Sequence, residues 1–215
     1  RPPRSTLFPY TTLFRSYLQR PMTMGADIVV HSATKYIDGQ GRVMGGAIIS
    51  SNEIIEKIYP FMKNAGPSMS PFNAWVLSKS LETLAIRMDR HCENALGIAQ
   101  WLENQAEVSM VKYPFLPSNI GYETAVRQMK AGGGMISFEL KGGLQAGIKL
   151  IDSRHMMSLS ANLGDTRTII THPASSTHSR LTPDQRLAAG ISDGLVRLSV
   201  GLEHINDIID DIQLH

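Results

Sequence analysis

Residues 26–46 read ADIVVHSATKYIDGQGRVMGG, and their order decides the fold class. Ala26 to His31 is a short, continuous apolar and β-branched run. It predicts a strand covered on both faces, as in a parallel sheet. Lys35 comes directly after that strand, with the hydroxyl residues Ser32 and Thr34 beside it. In parallel α/β folds, ligands gather at the carboxyl ends of strands. A lysine placed there with no adjacent carboxylate is open to desolvation, which lowers its pKa and makes it a nucleophile toward carbonyl groups. Ser32 and Thr34, with nearby backbone N–H groups, are candidate phosphate donors. A solvated surface lysine in a loop is the alternative that the residue types leave open. The glycines from Gly41 to Gly46 have P-loop spacing, but Ala47 stands where Lys-Ser/Thr is required. The Gly-x-Gly-x-x-Gly pattern fails as well, with Met44 at its third glycine. Tight turns near a ligand explain these glycines better.

Outward from this stretch the chain alternates between strand and helix. Ala47 to Ser50 reads as a second strand and Glu53 to Met62 as a helix. Ser70-Pro71 is a helix start, with Ser as N-cap and Pro at the first position. Apolar residues from Trp75 to Trp101 recur at helical spacing, giving one long helix or two in series. Beyond it, Met135 to Leu140 alternates like a half-buried strand, and Leu144 to Asp152 reads as a helix. Thr182-Pro183-Asp184-Gln185 is a capping box opening a short helix that Gly190 ends. Leu195 to Val200 is a strand, and His204 to Ile212 is a terminal helix. The organisation is α/β to about residue 80, then a smaller α+β domain.

Composition sets the class. The chain has 215 residues, 42% of them hydrophobic and 19% charged, ordinary values for a globular protein. One cysteine rules out a disulfide framework and any Cys-based zinc cluster. No apolar run approaches the roughly 18 residues of a membrane-spanning helix. The formal net charge of +2 resides in residues 1–16, RPPRSTLFPYTTLFRS, which carry Arg1, Arg4 and Arg15 and no acid. Without that segment 18 basic and 19 acidic residues remain, a net of −1. Nucleic-acid and membrane-surface partners lose most of their electrostatic argument. Residues 1–16 lack the apolar stretch of a secretory signal. Their Arg, Ser and Thr suit a transit peptide better. They resemble most a translated cloning adapter, so the native chain is expected to begin near Tyr17.

Arg197 lies inside a strand pattern, where a substrate carboxylate in its fork and a structural salt bridge are both open explanations. His31, His172 and His178 show no metal-ligand spacing and read as structural or pocket-lining. Cys92 reads as a packed thiol and the 11 Met as core filler.

Five collinear segments carry a family resemblance. They are HSATKYIDGQGRVMGG (31–46), GPSMSPFNAWVLSKSLETLAIRMDRH (66–91), GGGMISFELKGG (132–143), NLGDTRTIITHPASSTHSRL (162–181) and GISDGLVRLSVGLE (190–203). Together they resemble the Cys/Met-metabolism enzymes that use pyridoxal 5′-phosphate (PLP), over essentially everything from Tyr17 onward. The resemblance implies a type I, aminotransferase-like PLP-dependent transferase fold: a truncated large domain at 17–79 and an α+β C-terminal small domain at 80–215. It implies that Lys35 binds PLP covalently, that Ser32 and Thr34 contact its phosphate, and that Arg197 clamps the substrate α-carboxylate. Asn162 would assist Arg197 where relatives use Ser. The strings Gly39-Gln40-Gly41-Arg42 and Asn162-Leu163-Gly164 point to the sulfhydrylase branch, with γ-lyase, synthase and non-catalytic readings kept as alternatives. The implied partners are a small amino-acid substrate, sulfide, and further copies of the chain as a dimer of dimers, in the cytoplasm. In that family the group stacking on PLP and the carboxylate for its pyridine nitrogen precede the lysine. The 215-residue chain by itself is therefore expected to be inactive and, with sheet edges and apolar faces uncovered, poorly soluble.

Overall fold

The computed structural model describes residues 17–212. The expected leader at 1–16 lies outside the described residues. The chain divides into two compact units, the first ending at Ile86 and the second beginning at Arg87. The domain limit expected from the sequence, at 79/80, lies a few residues earlier.

In the first unit, β1 (Ile28–Ser32) pairs antiparallel with β2 (Gly46–Ser50), Val30 opposite Ile48 and Ser32 opposite Gly46. The expectation of a strand buried on both faces in a parallel sheet is corrected here. Val29 and His31 point inward, whereas Ile28 and Val30 are about half exposed, at 45% and 54%. Strand side chains alternate between faces, so a continuous apolar run supplies two apolar faces whether or not both are covered. Ile48 and Ile49 of β2 are exposed as well. Between the two strands the chain makes a π-helical turn, Ala33–Ile37, and then a loop turned by Gly39 and Gly41, both at positive φ. Two helices follow. Asn52–Ala65 (α1) is capped by Ser51, whose side chain accepts from Ile54 N–H. Pro71–Leu81 (α2) is capped by Ser70, whose side chain accepts from Asn73 N–H. Val76 and Leu77 of α2 pack against Ala33 and Val43 in a small core, which seats the π turn.

The helical pattern from 71 to 105 resolves into two helices in series, α2 and α3 (Leu84–Glu103). The second unit is a five-stranded sheet in the order β3-β4-β7-β6-β5. Its strands are β3 (Val108–Lys112), β4 (Met135–Leu140), β5 (Ser158–Leu159), β6 (Ile169–Thr171) and β7 (Leu195–Ser199). All pairs are antiparallel except β5 with β6. Beside most of α3, the unit holds α4 (Tyr122–Gln128), α5 (Gly143–Asp152), α6 (Pro183–Ala188) and α7 (Ile205–Ile212). Alternate residues of β4 (Ile136, Phe138, Leu140) and β7 (Val196, Leu198) meet α3, α5 and α7 in one core, with Ile98, Leu102, Leu150 and Ile208. The opposite face is more polar. There Ser137 of β4, Arg197 of β7 and Thr171 of β6 lie side by side across the strands.

The capping box forms as read. Thr182 Oγ1 accepts from Gln185 N–H at 3.3 Å, and Gln185 Oε1 accepts from Thr182 N–H at 2.9 Å. Because α6 is only six residues long, its ends matter more than its middle. Thr182→Ala should cost about 1 kcal/mol in urea-induced unfolding, and Thr182→Ser should restore it.

Candidate functional site

Lys35 is held by the turn around it. Ala33 N–H and Thr34 N–H both donate to the Gly45 carbonyl, at 2.9 and 3.3 Å. Asp38 N–H returns to the Ala33 carbonyl and Gly39 N–H to the Lys35 carbonyl, at 2.9 and 2.8 Å. Lys35 itself departs from helical dihedrals, with φ −90° and ψ −126°, and its side chain is half-buried. Ser32 is exposed. The Thr34 hydroxyl accepts from Gly45 N–H at 3.1 Å and donates to the Gly45 carbonyl at 3.4 Å, a long and weak bond. The turn is stapled on its far side by a network absent from the sequence reading. Buried Asp38 accepts from Arg42 N–H and Arg42 Nε, at 2.7 and 3.0 Å. Arg42 Nη2 donates to Ser80 Oγ of α2 at 2.6 Å, and Ser80 Oγ donates to the Val76 carbonyl. A charge-assisted bond of this kind holds loop to helix more firmly than a neutral one.

In the second unit Arg197 is half-buried. Its Nη2 donates to the carbonyls of Ala161 and Asn162, at 2.9 and 3.1 Å, and to Thr171 Oγ1 at 3.2 Å. Thr171 Oγ1 in turn donates to the Ser160 carbonyl, and Asn162 N–H donates to Ser160 Oγ. The structure therefore brings Arg197 and Asn162 together, with Asn162 accepting through its main-chain carbonyl. Thr171 and Ser160 were not singled out by sequence. A three-residue strand offers too short a period to be seen, and the cross-strand pairing of Thr171 with Arg197 is long-range.

The three histidines differ. His172 is buried, with Nε2 donating to the Asp193 carbonyl and Nδ1 bonded to Ser175 Oγ, a structural role. His31 is buried in β1, and His178 is half-buried beside Thr177. Among the described residues no three His, Cys, Asp or Glu side chains gather where they could hold a metal ion. No described helix is long and apolar enough to cross a membrane. Cys92 is packed in α3, and burial pushes its thiol up to about 11.

Residues 10–214 match the pattern of the Cys/Met metabolism PLP-dependent enzymes. The chain belongs to that family. The match takes in residues 10–16 as well as the described chain. It is 49% identical to an O-succinylhomoserine sulfhydrylase of Pseudomonas aeruginosa over 91% of this chain and 48% of that protein. To an L-methionine gamma-lyase of Porphyromonas gingivalis it is 50% identical, over 92% of this chain and 50% of that protein. A crystal structure of cystathionine gamma synthase from Xanthomonas oryzae pv. oryzae in complex with cystathionine superposes with a TM-score of 0.85. That likeness has 42% identity and covers 91% of this chain and 51% of that one. The chain thus spans about half the length of the relatives it matches. Its fold is the α/β type I fold of PLP-dependent enzymes, and the cofactor of the family is PLP.

Behind the Arg197 face, His91 of α3 anchors the end of β7: its Nδ1 donates to the Val200 carbonyl at 2.6 Å. Burial pushes the His91 pKa down to about 4; the Val200 bond works against this and Arg87 adds to it. The folded protein thus keeps His91 neutral where the unfolded chain, near 6.5, takes up a proton. The His91 contribution is complete above pH 6.5 and is lost as pH falls toward 4, by up to about 3 kcal/mol. Urea midpoints at pH 7 and pH 4.5 measure the loss, and His91→Asn should shrink the difference.

Proposed function

We propose that the full-length protein converts O-succinylhomoserine and sulfide to homocysteine and succinate, a γ-replacement in methionine biosynthesis. The observation that carries this reading is the 49% identity to the Pseudomonas aeruginosa sulfhydrylase, joined to Gly39-Gln40-Gly41-Arg42 and Asn162-Leu163-Gly164. Those are the two strings by which the sequence resembles the sulfhydrylase branch. A second sulfhydrylase, from Mycobacterium tuberculosis, is 46% identical. Methionine γ-elimination is the second reading, favoured by the 50% identity to the Porphyromonas gingivalis gamma-lyase.

The residues present suit PLP. A half-buried amine is matched to its aldehyde, and the exposed Ser32 hydroxyl and the weakly engaged Thr34 hydroxyl are matched to its phosphate. When bound, PLP supplies an electron sink for charge developing on the substrate carbons. Lys35 Nζ would hold PLP covalently and, with its amine free, would serve as the base that takes the Cα proton and returns protons later. Arg197 binds the α-carboxylate. Its Nη2 contacts to Ala161, Asn162 and Thr171 restrict the guanidinium plane, so the carboxylate is received in one orientation. Asn162 shapes that anchor. Succinate leaves from Cγ and hydrosulfide adds there. The same reading makes the whole protein a cytoplasmic dimer of dimers.

Product analysis of the full-length protein tests the reaction. Homocysteine and succinate should accumulate from O-succinylhomoserine and sulfide faster than 2-oxobutyrate and methanethiol form from methionine; the reverse order would give the elimination reading. Arg197→Lys keeps the charge but loses the planar fork. It should raise KM for O-succinylhomoserine by roughly 10–100-fold, with a smaller change in kcat.

A further inference from the structure

On the helical side of the second unit a cavity of about 420 Å³ opens between the end of β4, α5 and α7. This is within the size range of small-molecule sites. Its floor is apolar, formed by buried Leu140 and Leu150 with Ala146. Arg154 lines the same cavity. Arg154 Nη2 donates to Ser153 Oγ at 2.6 Å, but Nε and Nη1 are buried and have no hydrogen-bond partner. Buried guanidinium donors are normally satisfied, and two on one side chain call for an acceptor. Asp211, the carboxylate beside Arg154 in the cavity, is otherwise engaged. It accepts from the N–H groups of His155, Met156 and Met157 at 2.9, 3.2 and 3.0 Å. Burial works to raise the Asp211 pKa, but those three bonds and the Arg154 charge outweigh it and hold the carboxyl below its usual range. The remaining carboxylates, Glu107 and Asp210, are exposed and line the cavity.

We propose that this cavity binds a free aliphatic α-amino acid. Its carboxylate takes the Arg154 Nε–Nη1 edge, its side chain lies on Leu140, Ala146 and Leu150, and its ammonium faces Glu107 and Asp210. Lys141 and Lys149 line the cavity beside Glu107 and Asp210, so its rim carries both signs, and a simple anion would use the guanidinium but waste the apolar floor. A simple amine would leave the guanidinium unsatisfied. Only a zwitterion with an apolar tail uses all three features. The site is separate from the proposed reaction and does not depend on it.

L-norleucine titrated into the protein, followed by backbone amide NMR, tests the site. Saturable shifts are expected at residues 153–157 and along α5, which separates this site from any binding at Lys35. Hexanoate, which lacks the ammonium, and pentylamine, which lacks the carboxylate, should each bind at least tenfold more weakly. Arg154→Met should weaken norleucine at least tenfold, and Ala146→Met, which fills the floor and leaves Arg154 in place, should do the same. Circular dichroism shows whether each variant is folded; Ala146→Met decides if Arg154→Met is not. The proposal is overturned by no saturation, by shifts confined to other residues, by unchanged affinity in the folded variants, or by inorganic phosphate binding as tightly as norleucine.

Discussion

Replacing Lys35 with Ala should lower kcat of the full-length protein by about 10³-fold or more, the scale at which a positioned proton-transfer group and nucleophile act. A second readout is independent of turnover. Borohydride treatment should leave PLP covalently attached to the unaltered protein and not to the variant. The turn that carries Lys35 should survive the change. It is built from backbone bonds of Ala33, Thr34, Asp38 and Gly39 and from the packing of Ala33 and Val43 on α2. Thermal unfolding of Lys35→Ala should therefore stay within about 0.5 kcal/mol of the parent. Retained cofactor attachment in this variant would remove Lys35 from the proposed site. A folding defect would point instead to a structural lysine.

Gly194→Ala should be the most destabilising of the substitutions considered. Gly194 lies just before β7 and is buried. A Cβ there would sit 2.3 Å from the Leu140 carbonyl oxygen and 3.3 Å from Leu140 N and C. All three neighbours are backbone, and Leu140 N–H donates to the Gly194 carbonyl at 2.9 Å. Relief of the clash requires β4 and β7 to part at that end of their ladder. The expected cost is about 3 kcal/mol in urea unfolding, the upper range for overpacking a well-filled site. Gly121→Ala is the control. Its Cβ would meet only the Asn119 side-chain nitrogen at 3.6 Å, and its φ of −96° suits any residue. That change should stay within about 0.5 kcal/mol. An equal loss in both would mean that close approach at Gly194 is not the cause.

Much of the architecture was legible because its signals are local. Ser70-Pro71 and the Thr182 capping box announce helix starts through bonds spanning three residues, and both form. Met135 to Leu140 alternates, and the structure buries every second residue. Other elements were invisible for definite reasons. The alternation of β3 is broken by a register shift between Val108 and Met110. Both β5 and β6 are too short to show a period. The run IVVHS was legible as a strand but not in its pairing, because an apolar residue announces what it can bury and not what will cover it.

The candidate site divides in the same way. Residue order alone placed Lys35 after a strand with hydroxyls beside it, and the five collinear segments alone identified the family, since both are properties of the linear chain. Arg197 was legible as an anomaly, a cation in a strand. What holds it, the carbonyls of Ala161 and Asn162 and the hydroxyl of Thr171, arises only when β6 and β7 pair and residues 26 to 36 positions away arrive at its side. The Asp38–Arg42–Ser80 staple likewise exists only once α2 packs on the turn. Short-range bonds and apolar period are written in the chain itself, whereas the partners of its charged groups come from contacts distant in sequence, which folding alone assembles.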